Sequence, residues 1–150
     1  MKTNLKNIGI LFLAIITLMS CSKDDEEIVA SANPSNVEPV NGKLFSADEV
    51  QNPIVFRWTP VVPKPQSVTY RLKVWQLMQG QNSTEAMRSN QPIVTKDVDN
   101  ITEVSIQGIY TGPCRPPYLC DFVWTVQAVD TKGTPIGTNE GFSNSTVFSF

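Results

Sequence analysis

The chain has 150 residues, a length that suits a single domain. Its 12 Lys and Arg side chains are outnumbered by 14 Asp and Glu side chains, so there is no basic surplus to attract nucleic acid. The sequence contains no His and no Gly-rich phosphate loop, so it lacks the commonest general base and shows no cofactor motif. We therefore expect a protein that is not an enzyme, needs no cofactor and binds no nucleic acid.

The amino terminus has the layout of an export signal. Two lysines precede an apolar run over residues 8–19, which is shorter than the roughly 20 residues that a membrane-spanning helix needs. The run ends in Leu18-Met19-Ser20-Cys21 and is followed at once by polar sequence. This segment is therefore predicted to direct export and not to span the membrane.

The motif that ends at Cys21 resembles the signal of bacterial lipoproteins. The resemblance implies that residues 1–20 are a signal peptide, and that Cys21 then carries diacylglycerol on its thiol and an acyl chain such as palmitate on its amine. Several acyl chains on one residue anchor a protein stably, so the membrane is an expected partner. An ordinary secretory signal, or an anchor that is never cut, is the alternative.

The stretch after Cys21 is dense in charge and cannot pack into a core. It could be a solvated spacer, but it also resembles the export signal that follows the acylated cysteine in Bacteroidetes-type surface lipoproteins. That resemblance implies a lipid-anchored protein on the outer face of the outer membrane. The residues concerned are Ser22, Lys23, Asp24, Asp25, Glu26 and Glu27. With residues 28–38 predicted to be flexible, we expect a lipidated tether over 21–36 and a folded domain over 37–150.

The body of the chain alternates apolar and polar residues with period two, in short stretches separated by Pro, Gly and Asn. The clearest strands are predicted at 53–59, 68–77 and 121–129, and weaker ones at 43–45, 93–98, 102–106 and 145–150. Alternation assigns one face of the clear strands to the core: Ile54, Phe56, Trp58, Tyr70, Leu72, Val74, Phe122, Trp124, Val126 and Ala128. Seven short strands predict an all-β, two-sheet sandwich.

Three segments also resemble the fibronectin type III pattern: Phe56-Arg57-Trp58-Thr59-Pro60, Tyr70-Arg71-Leu72-Lys73-Val74 and Phe122-Val123-Trp124-Thr125-Val126-Gln127-Ala128-Val129-Asp130. The resemblance covers most of residues 37–150 and implies an immunoglobulin-like, fibronectin type III-like β-sandwich. The chain departs from the family at Phe122, where the family has a tyrosine whose hydroxyl fixes the corner before that strand.

Two cysteines remain once Cys21 is set aside. Cys114 and Cys120 flank a Pro-rich segment in a chain predicted to be exported, and disulfides persist outside the cytoplasm. We predict that they are bonded, and our hypothesis is that this bond replaces the missing tyrosine hydroxyl. A metal site is the rival, but no His and no further Cys could complete a tetrahedral set. A redox pair is disfavoured because the spacing is not Cys-x-x-Cys.

A long loop over residues 78–92 follows the second clear strand, and long ordered loops are often functional. A Tyr-x-Leu-Lys-Val strand that leads into a loop containing Ala-Met is similar to the fibronectin-like repeats of Bacteroidetes-type surface proteins. Ser83 or Thr84 could cap one helical turn through Ala86 and Met87. Met87 could equally fill the open edge of the sandwich.

The carboxylates of the body give little sign of a catalytic or metal site. Asp97 with Asp99, or Glu103, could in principle hydrolyse glycosides, but we predict that they face solvent. Asp97-Val98-Asp99-Asn100 could ligate Ca²⁺, but it matches no full loop motif and is predicted to be a turn. We predict no metal site.

Trp75 is the leading candidate for a binding surface. Alternation places it outward beside Arg71 and Lys73, where an aromatic ring next to cations suits sugar stacking or a protein contact. The next strand or the long loop could instead cover it. Tyr110 and Tyr118 form a second possible aromatic surface.

These features predict a non-catalytic, lipid-anchored surface module for adhesion, interaction or assembly, whose ligand is an unidentified protein or glycan. The alternative is a glycan-binding accessory lipoprotein of a polysaccharide-uptake system. Fold analogy alone does not choose between them, because this sandwich hosts many functions.

Overall fold

The computed structural model describes residues 32–109 and 119–150. In that part of the chain the strands lie close to their predicted positions, and the long loop contains one helix. In chain order the elements are β1 (Ser35–Glu38), β2 (Lys43–Leu44), β3 (Ile54–Thr59), β4 (Thr69–Gln76), α1 (Ser83–Ser89), β5 (Val94–Asp99), β6 (Glu103–Ile106), β7 (Asp121–Val129) and β8 (Thr146–Ser149). Short 3₁₀ turns lie at Glu49–Gln51 and Asn139–Gly141.

The strands form two sheets, one with the order β1-β3-β6 and one with the order β2-β8-β7-β4-β5. Neighbouring strands are antiparallel except β2 and β8, which are parallel. The two sheets enclose one apolar core, so the predicted all-β, two-sheet sandwich is confirmed. The described part of the chain has eight strands instead of seven, because β1 was not predicted.

The core is built from the faces that alternation assigns to it. All ten of the predicted core residues on β3, β4 and β7 are at most 5% exposed. Phe56 packs edge-on against Trp124 with ring centroids 5.2 Å apart, and Trp58 lies 5.7 Å from Tyr70. Burial of this apolar surface, at about 25 cal/mol per Å², is the main force that holds the two sheets together.

The Tyr70 hydroxyl adds a polar contact at the edge of this core. It accepts a hydrogen bond from the Val61 backbone N–H at 3.2 Å, which ties the β3–β4 connection to β4. Burial raises the pKa of Tyr70, because apolar surroundings disfavour the phenolate. The contact is therefore one between neutral groups.

Phe122 occupies the position where the fibronectin type III pattern has a tyrosine. Its ring packs against Phe148 at 5.3 Å and Phe150 at 4.8 Å. Cys120 and Phe150 also exchange two backbone hydrogen bonds, of 3.3 and 3.0 Å. Aromatic packing and this pairing therefore fix the start of β7. Cys120 is not a free thiol, but Cys114 lies outside the described residues, so their pairing stays a prediction.

The sandwich begins earlier than the predicted boundary at residue 37. Ala32 and Val62 exchange two backbone hydrogen bonds of 2.8 Å, and Asn33 Nδ2 donates to the Phe142 carbonyl at 3.1 Å. The predicted tether is therefore too long, because residues 32–36 belong to the folded domain. Cys21 and the charged run over 22–27 lie outside the described residues.

β1 lacks the apolar alternation of the other strands, and polar contacts hold it in place. Asn36 Nδ2 lies 2.9 Å from the Asn144 carbonyl, 2.9 Å from Thr146 Oγ1 and 3.3 Å from the Trp124 carbonyl. Trp124 and Thr146 belong to the five-stranded sheet, so one amide joins the two sheets beside β1. A pattern based on apolar spacing does not detect such a strand.

A salt bridge joins β2 to the connection between β2 and β3. Glu49 Oε1 accepts a hydrogen bond from Lys43 Nζ at 2.7 Å, and Oε2 accepts one from the Ser46 N–H at 2.7 Å. The Lys43 ammonium and then the Ser46 N–H lower the pKa of Glu49 from 4.5 to about 2, because both favour the carboxylate. This exposed ion pair therefore adds a small contribution to stability that acid removes.

Replacing Asn36 by Ala should destabilise the fold by about 1–3 kcal/mol, because partly buried acceptors lose their donor. Ser35→Ala is the matched control, since Ser35 is exposed on the same strand, and it should change the free energy of unfolding by less than about 0.5 kcal/mol. Urea unfolding measures both variants. Equal losses would contradict a specific role for the Asn36 amide.

The stabilisation provided by Glu49 should be complete above about pH 4.5 and lost as the pH falls through about 2, because the unfolded chain takes up the proton first. The gap in thermal unfolding midpoint between the native protein and Glu49→Gln should narrow over that range. Lys43→Gln removes the first cause of the shift, and its gap to the native protein should narrow in the same way. A gap that stays constant in circular dichroism melts would contradict the pairing.

Candidate functional site

The outer face of the five-stranded sheet carries the outward residues of its two central strands. Three register pairs line the junction of β4 and β7: Arg71 with Gln127, Lys73 with Thr125, and Trp75 with Val123. One end of this face lies under α1, and the β7–β8 connection lies against another part of it.

α1 covers the end of the face that contains Trp75. Trp75 is 6% exposed, and with Ala86 and Val123, both fully buried, it forms a small apolar cluster against which Leu77 and Met87 pack. The prediction that Trp75 is exposed is therefore wrong, and the alternative that the long loop covers it is confirmed. Met87 packs on this outer cluster and does not fill the open edge of the sandwich.

Reciprocal hydrogen bonds fix the start of α1. Asn82 is the N-cap: its Oδ1 accepts from the Glu85 N–H at 2.9 Å, while Glu85 Oε2 accepts from the Asn82 N–H at 2.9 Å. This capping box satisfies two backbone donors that a helix start leaves open. The predicted caps, Ser83 and Thr84, are instead the first two helical residues. At the other end, Asn90 Nδ2 donates to a carbonyl of β4 at 2.8 Å.

The open part of the face forms a pocket of about 430 Å³, which we call the sheet-face pocket. This volume lies in the range of about 300–1,000 Å³ that is typical of small-molecule sites. Its lining comes from the sheet, from α1 and from the β7–β8 connection: Lys73, Trp75, Met87, Thr125, Asn139, Phe142, Ser143, Asn144 and Ser145.

The β7–β8 connection is held firmly against β7 and forms one wall of the sheet-face pocket. The Ser143 N–H donates to the Val126 carbonyl at 2.8 Å, and Ser143 Oγ accepts the Val126 N–H at 2.9 Å. Gly141 has a φ of 75°, and a Cβ there would lie 2.5 Å from the Ala128 carbonyl oxygen. Only glycine fits this position, so the backbone of β7 sets the shape of the wall.

Thr125 brings an unpaired hydroxyl to the sheet-face pocket. The residue is 4% exposed, and its Oγ1 has no hydrogen-bond partner among the described residues. Its neighbours in β7, Trp124 and Val126, point into the core, so Thr125 points to the outer face. Buried polar groups are nearly always hydrogen-bonded, and leaving one unpaired costs about 1–3 kcal/mol. This hydroxyl is therefore a candidate for contact with a ligand.

Lys73 is the only charged side chain among the described residues that line the sheet-face pocket. Its neighbour Arg71 is matched: the guanidinium binds Asp97 through two hydrogen bonds of 2.9 Å. These bonds raise the pKa of Arg71 and lower that of Asp97, because each charge stabilises the other. Lys73 has no ion-pair partner within 4.0 Å in the part of the chain that the structure describes. The pocket therefore carries a positive charge that has no direct ion pair among the described residues and interacts with Asp97 only at longer range.

The remaining acidic candidates are engaged in structural contacts. Asp99 Oδ1 accepts a hydrogen bond from Thr69 Oγ1 at 2.6 Å, and Asn100 turns the chain with a φ of 56°. Glu103 is exposed and lies 2.7 Å from Arg57 Nη2. Within residues 32–109 and 119–150, no group of three or more Cys, Asp or Glu could hold a metal ion.

Sequence reasoning missed two parts of the pocket. Alternation in β7 places Thr125 on the outer face, so a signal for that residue was present. The wall over residues 139–145 has no apolar period, and only Gly141 marks its turn. Tyr110 and Tyr118 lie outside the described residues, so the second aromatic surface stays a prediction.

Replacing Asn82 by Ala should remove the helix cap, cost about 0.5–2 kcal/mol and loosen α1 over Trp75. Acrylamide quenching of tryptophan fluorescence should rise, and the rise should disappear when Trp75 is also changed to Phe. Thr84→Ala is the control, because Thr84 is exposed within the helix. A destabilised variant with unchanged quenching would show that α1 does not shield Trp75.

Comparison with known proteins provides no relative for this chain: no family model, no curated protein and no solved structure matches it. Among the described residues, no helix is long and apolar enough to cross a membrane. A function must therefore be inferred from the residues and geometry of the chain itself.

Proposed function

We propose that the protein is a non-catalytic binding module, anchored to the outer membrane by lipid on Cys21 and displayed on the cell exterior, that takes its ligand in the sheet-face pocket. The pocket is the observation that carries the proposal. A firmly held wall, a capped helix and the central strands of the sheet surround it, and its lining includes Thr125, whose buried hydroxyl has no hydrogen-bond partner among the described residues.

The lipoprotein resemblance of the amino terminus supports the anchoring. Between Cys21 and Ala32, the first described residue, a fully extended chain reaches at most about 40 Å. A module tethered over that distance stays close to the membrane surface. The charged run over residues 22–27 suits such a position, because it cannot pack into a core.

The order of the strands supports the fibronectin type III-like resemblance. Seven strands remain when the two-residue β2 is left out. The first, second and fifth of these are β1, β3 and β6, which form one sheet. The third, sixth and seventh are β4, β7 and β8, which belong to the other sheet. Strands A, B and E and strands C, F and G divide in the same way in immunoglobulin-like sandwiches. The fourth strand, β5, extends the second of these sheets.

The composition of the sheet-face pocket favours binding over catalysis. Its described lining contains no carboxylate and no cysteine. Glycoside hydrolysis needs a pair of carboxylates across the scissile bond, and a covalent mechanism needs an activated nucleophile with a base beside it. The residues present suit adhesion or interaction with an external partner.

A glycan-binding accessory role in polysaccharide uptake is the second candidate, and the lining of the pocket favours it. Amides of Asn139 and Asn144 and the hydroxyl of Ser145 lie in the same pocket as Phe142 and Met87. Sugar rings present hydroxyl groups at their rim and C–H groups on their faces, so they match a lining of this mixed kind.

Intact cells that produce the full-length protein test both parts of the proposal. Protease added outside should remove the native protein and spare a variant whose residues 23–27 are replaced by neutral ones. Protection of both proteins would place the module inside the envelope and contradict surface display.

The same cells then test the sheet-face pocket. Ser145→Trp fills the pocket, and Ser105→Trp is the matched control on β6, where the residue is also exposed. Cells with the native or control protein should bind fluorescent neoglycoproteins, and Ser145→Trp should lower that binding about tenfold or more. Binding unaffected by Ser145→Trp would contradict the pocket as the ligand site.

A further inference from the structure

We infer that the sheet-face pocket recognises a carboxylate-bearing sugar of an acidic glycan, with the Lys73 ammonium receiving the carboxylate. This inference rests on the proposed function, because it names the ligand class of the same pocket. It depends on the charge of the pocket, on the hydrogen bonding of the strands beneath it and on the unpaired hydroxyl of Thr125.

The positive charge of Lys73 favours a negatively charged ligand. Lys73 lines the sheet-face pocket without an acidic partner within 4.0 Å among the described residues. The adjacent cation, Arg71, is already neutralised by its two hydrogen bonds to Asp97. A ligand carboxylate would supply the missing partner through a charge-assisted hydrogen bond, which is stronger than one between neutral groups. A cationic ligand would meet repulsion with no carboxylate in the lining to offset it.

The hydrogen bonding of the sheet excludes a peptide that would bind here as an added strand. A peptide that adds as a strand needs a free sheet edge. The pocket lies over β4 and β7, and both have partners on two sides. β4 pairs with β5 and β7, while β7 pairs with β4 and, on its other side, with β8 over residues 121–124 and with the β7–β8 connection at Val126 and Ala128. The backbone of these strands is therefore already satisfied, and a ligand must be recognised through side chains.

The side chains that remain suit a sugar ring. Phe142 and Met87 offer apolar contact, while Asn139, Asn144 and Ser145 offer amide and hydroxyl groups. A ring with hydroxyl groups at its rim and C–H groups on its faces uses both kinds of contact. An acidic sugar adds the carboxylate that Lys73 lacks.

Thr125 supplies a polar contact at the sheet surface, next to Lys73 in the register. Its Oγ1 is buried without a hydrogen-bond partner among the described residues. Rotation about χ1 exchanges this hydroxyl with the methyl group between staggered positions, so it can turn towards a bound hydroxyl or a bridging water. A ligand would then satisfy a group that is costly to leave unpaired.

The test uses the full-length chain, purified in a neutral detergent, and isothermal titration calorimetry. The probes are the methyl glycosides of glucuronic acid, galacturonic acid and N-acetylneuraminic acid, each beside its methyl ester, which keeps the ring and removes the charge. At least one free acid should bind about tenfold more tightly than its ester. Equal affinity of acid and ester for all three sugars, or no binding of any acid, would overturn the inference.

Two charge variants assign the preference to Lys73. Lys73→Gln should abolish the difference between acid and ester. Lys96→Gln makes the same charge change on β5 and should preserve the difference, because Lys96 pairs with Leu72 and so lies on the opposite face of the sheet. Equal effects of the two variants would overturn the role of Lys73 and indicate a general effect of net charge.

A third variant separates ligand contact from structure. Thr125→Val is close in shape and removes the unpaired hydroxyl, so the thermal unfolding midpoint should stay the same or rise. The affinity for the free acid should nevertheless fall about threefold to tenfold. Unchanged affinity would overturn the contact with Thr125.

The outcomes also separate this inference from the proposed function. Binding of neutral sugars alone, still blocked by Ser145→Trp, would overturn the preference for acid and leave the pocket as the ligand site. Glycan binding that Ser145→Trp does not affect would overturn the pocket itself.

Discussion

Eight register pairs join β4 to β7, and the rest of the molecule is arranged around this ladder. The inward residues of both strands form the centre of the core. β7 also buries Val123 and Thr125 on its outer side, so it is shielded on both faces. A strand in that position must satisfy every backbone group with its neighbours. β4 provides partners along the whole strand, β8 provides them over residues 121–124, and the β7–β8 connection provides them at Val126 and Ala128.

The sheet-face pocket exists because α1 is shorter than the strands that it covers on the outer side of the ladder. α1 has seven residues and spans about 10 Å, whereas the nine residues of β7 span about 30 Å. The helix therefore shields the end of the ladder near Trp75 and does not reach the other end. The β7–β8 connection bounds the open part without closing it. A concave site results from two stable elements that meet the same face at different places.

Strands whose side chains alternate could be predicted from the sequence, and β7 matches its predicted bounds at both ends. Alternation also assigned Trp75 to the outer face, but it could not predict what would cover that face. The cover depends on contacts between α1 and β7, which are far apart in sequence. β1 was missed for another reason, because the Asn36 amide holds it and apolar spacing does not record an amide. Thr125 could be placed on the outer face, but its lack of a hydrogen-bond partner becomes visible only when its neighbours are in position.

The contact between Asn33 and the Phe142 carbonyl has a mechanical consequence. Phe142 belongs to the wall of the sheet-face pocket, and Asn33 is the second described residue after the chain enters the sandwich. A force that pulls on the chain before Ala32 is therefore transmitted through Asn33 to this wall, as well as to the edge of the smaller sheet. In a module anchored by lipid, flow past the cell would draw ligand and membrane apart and apply that pull. Force on the anchor and retention of the ligand would then be coupled through the amides of Asn33 and Asn36, which both bind carbonyls of this wall.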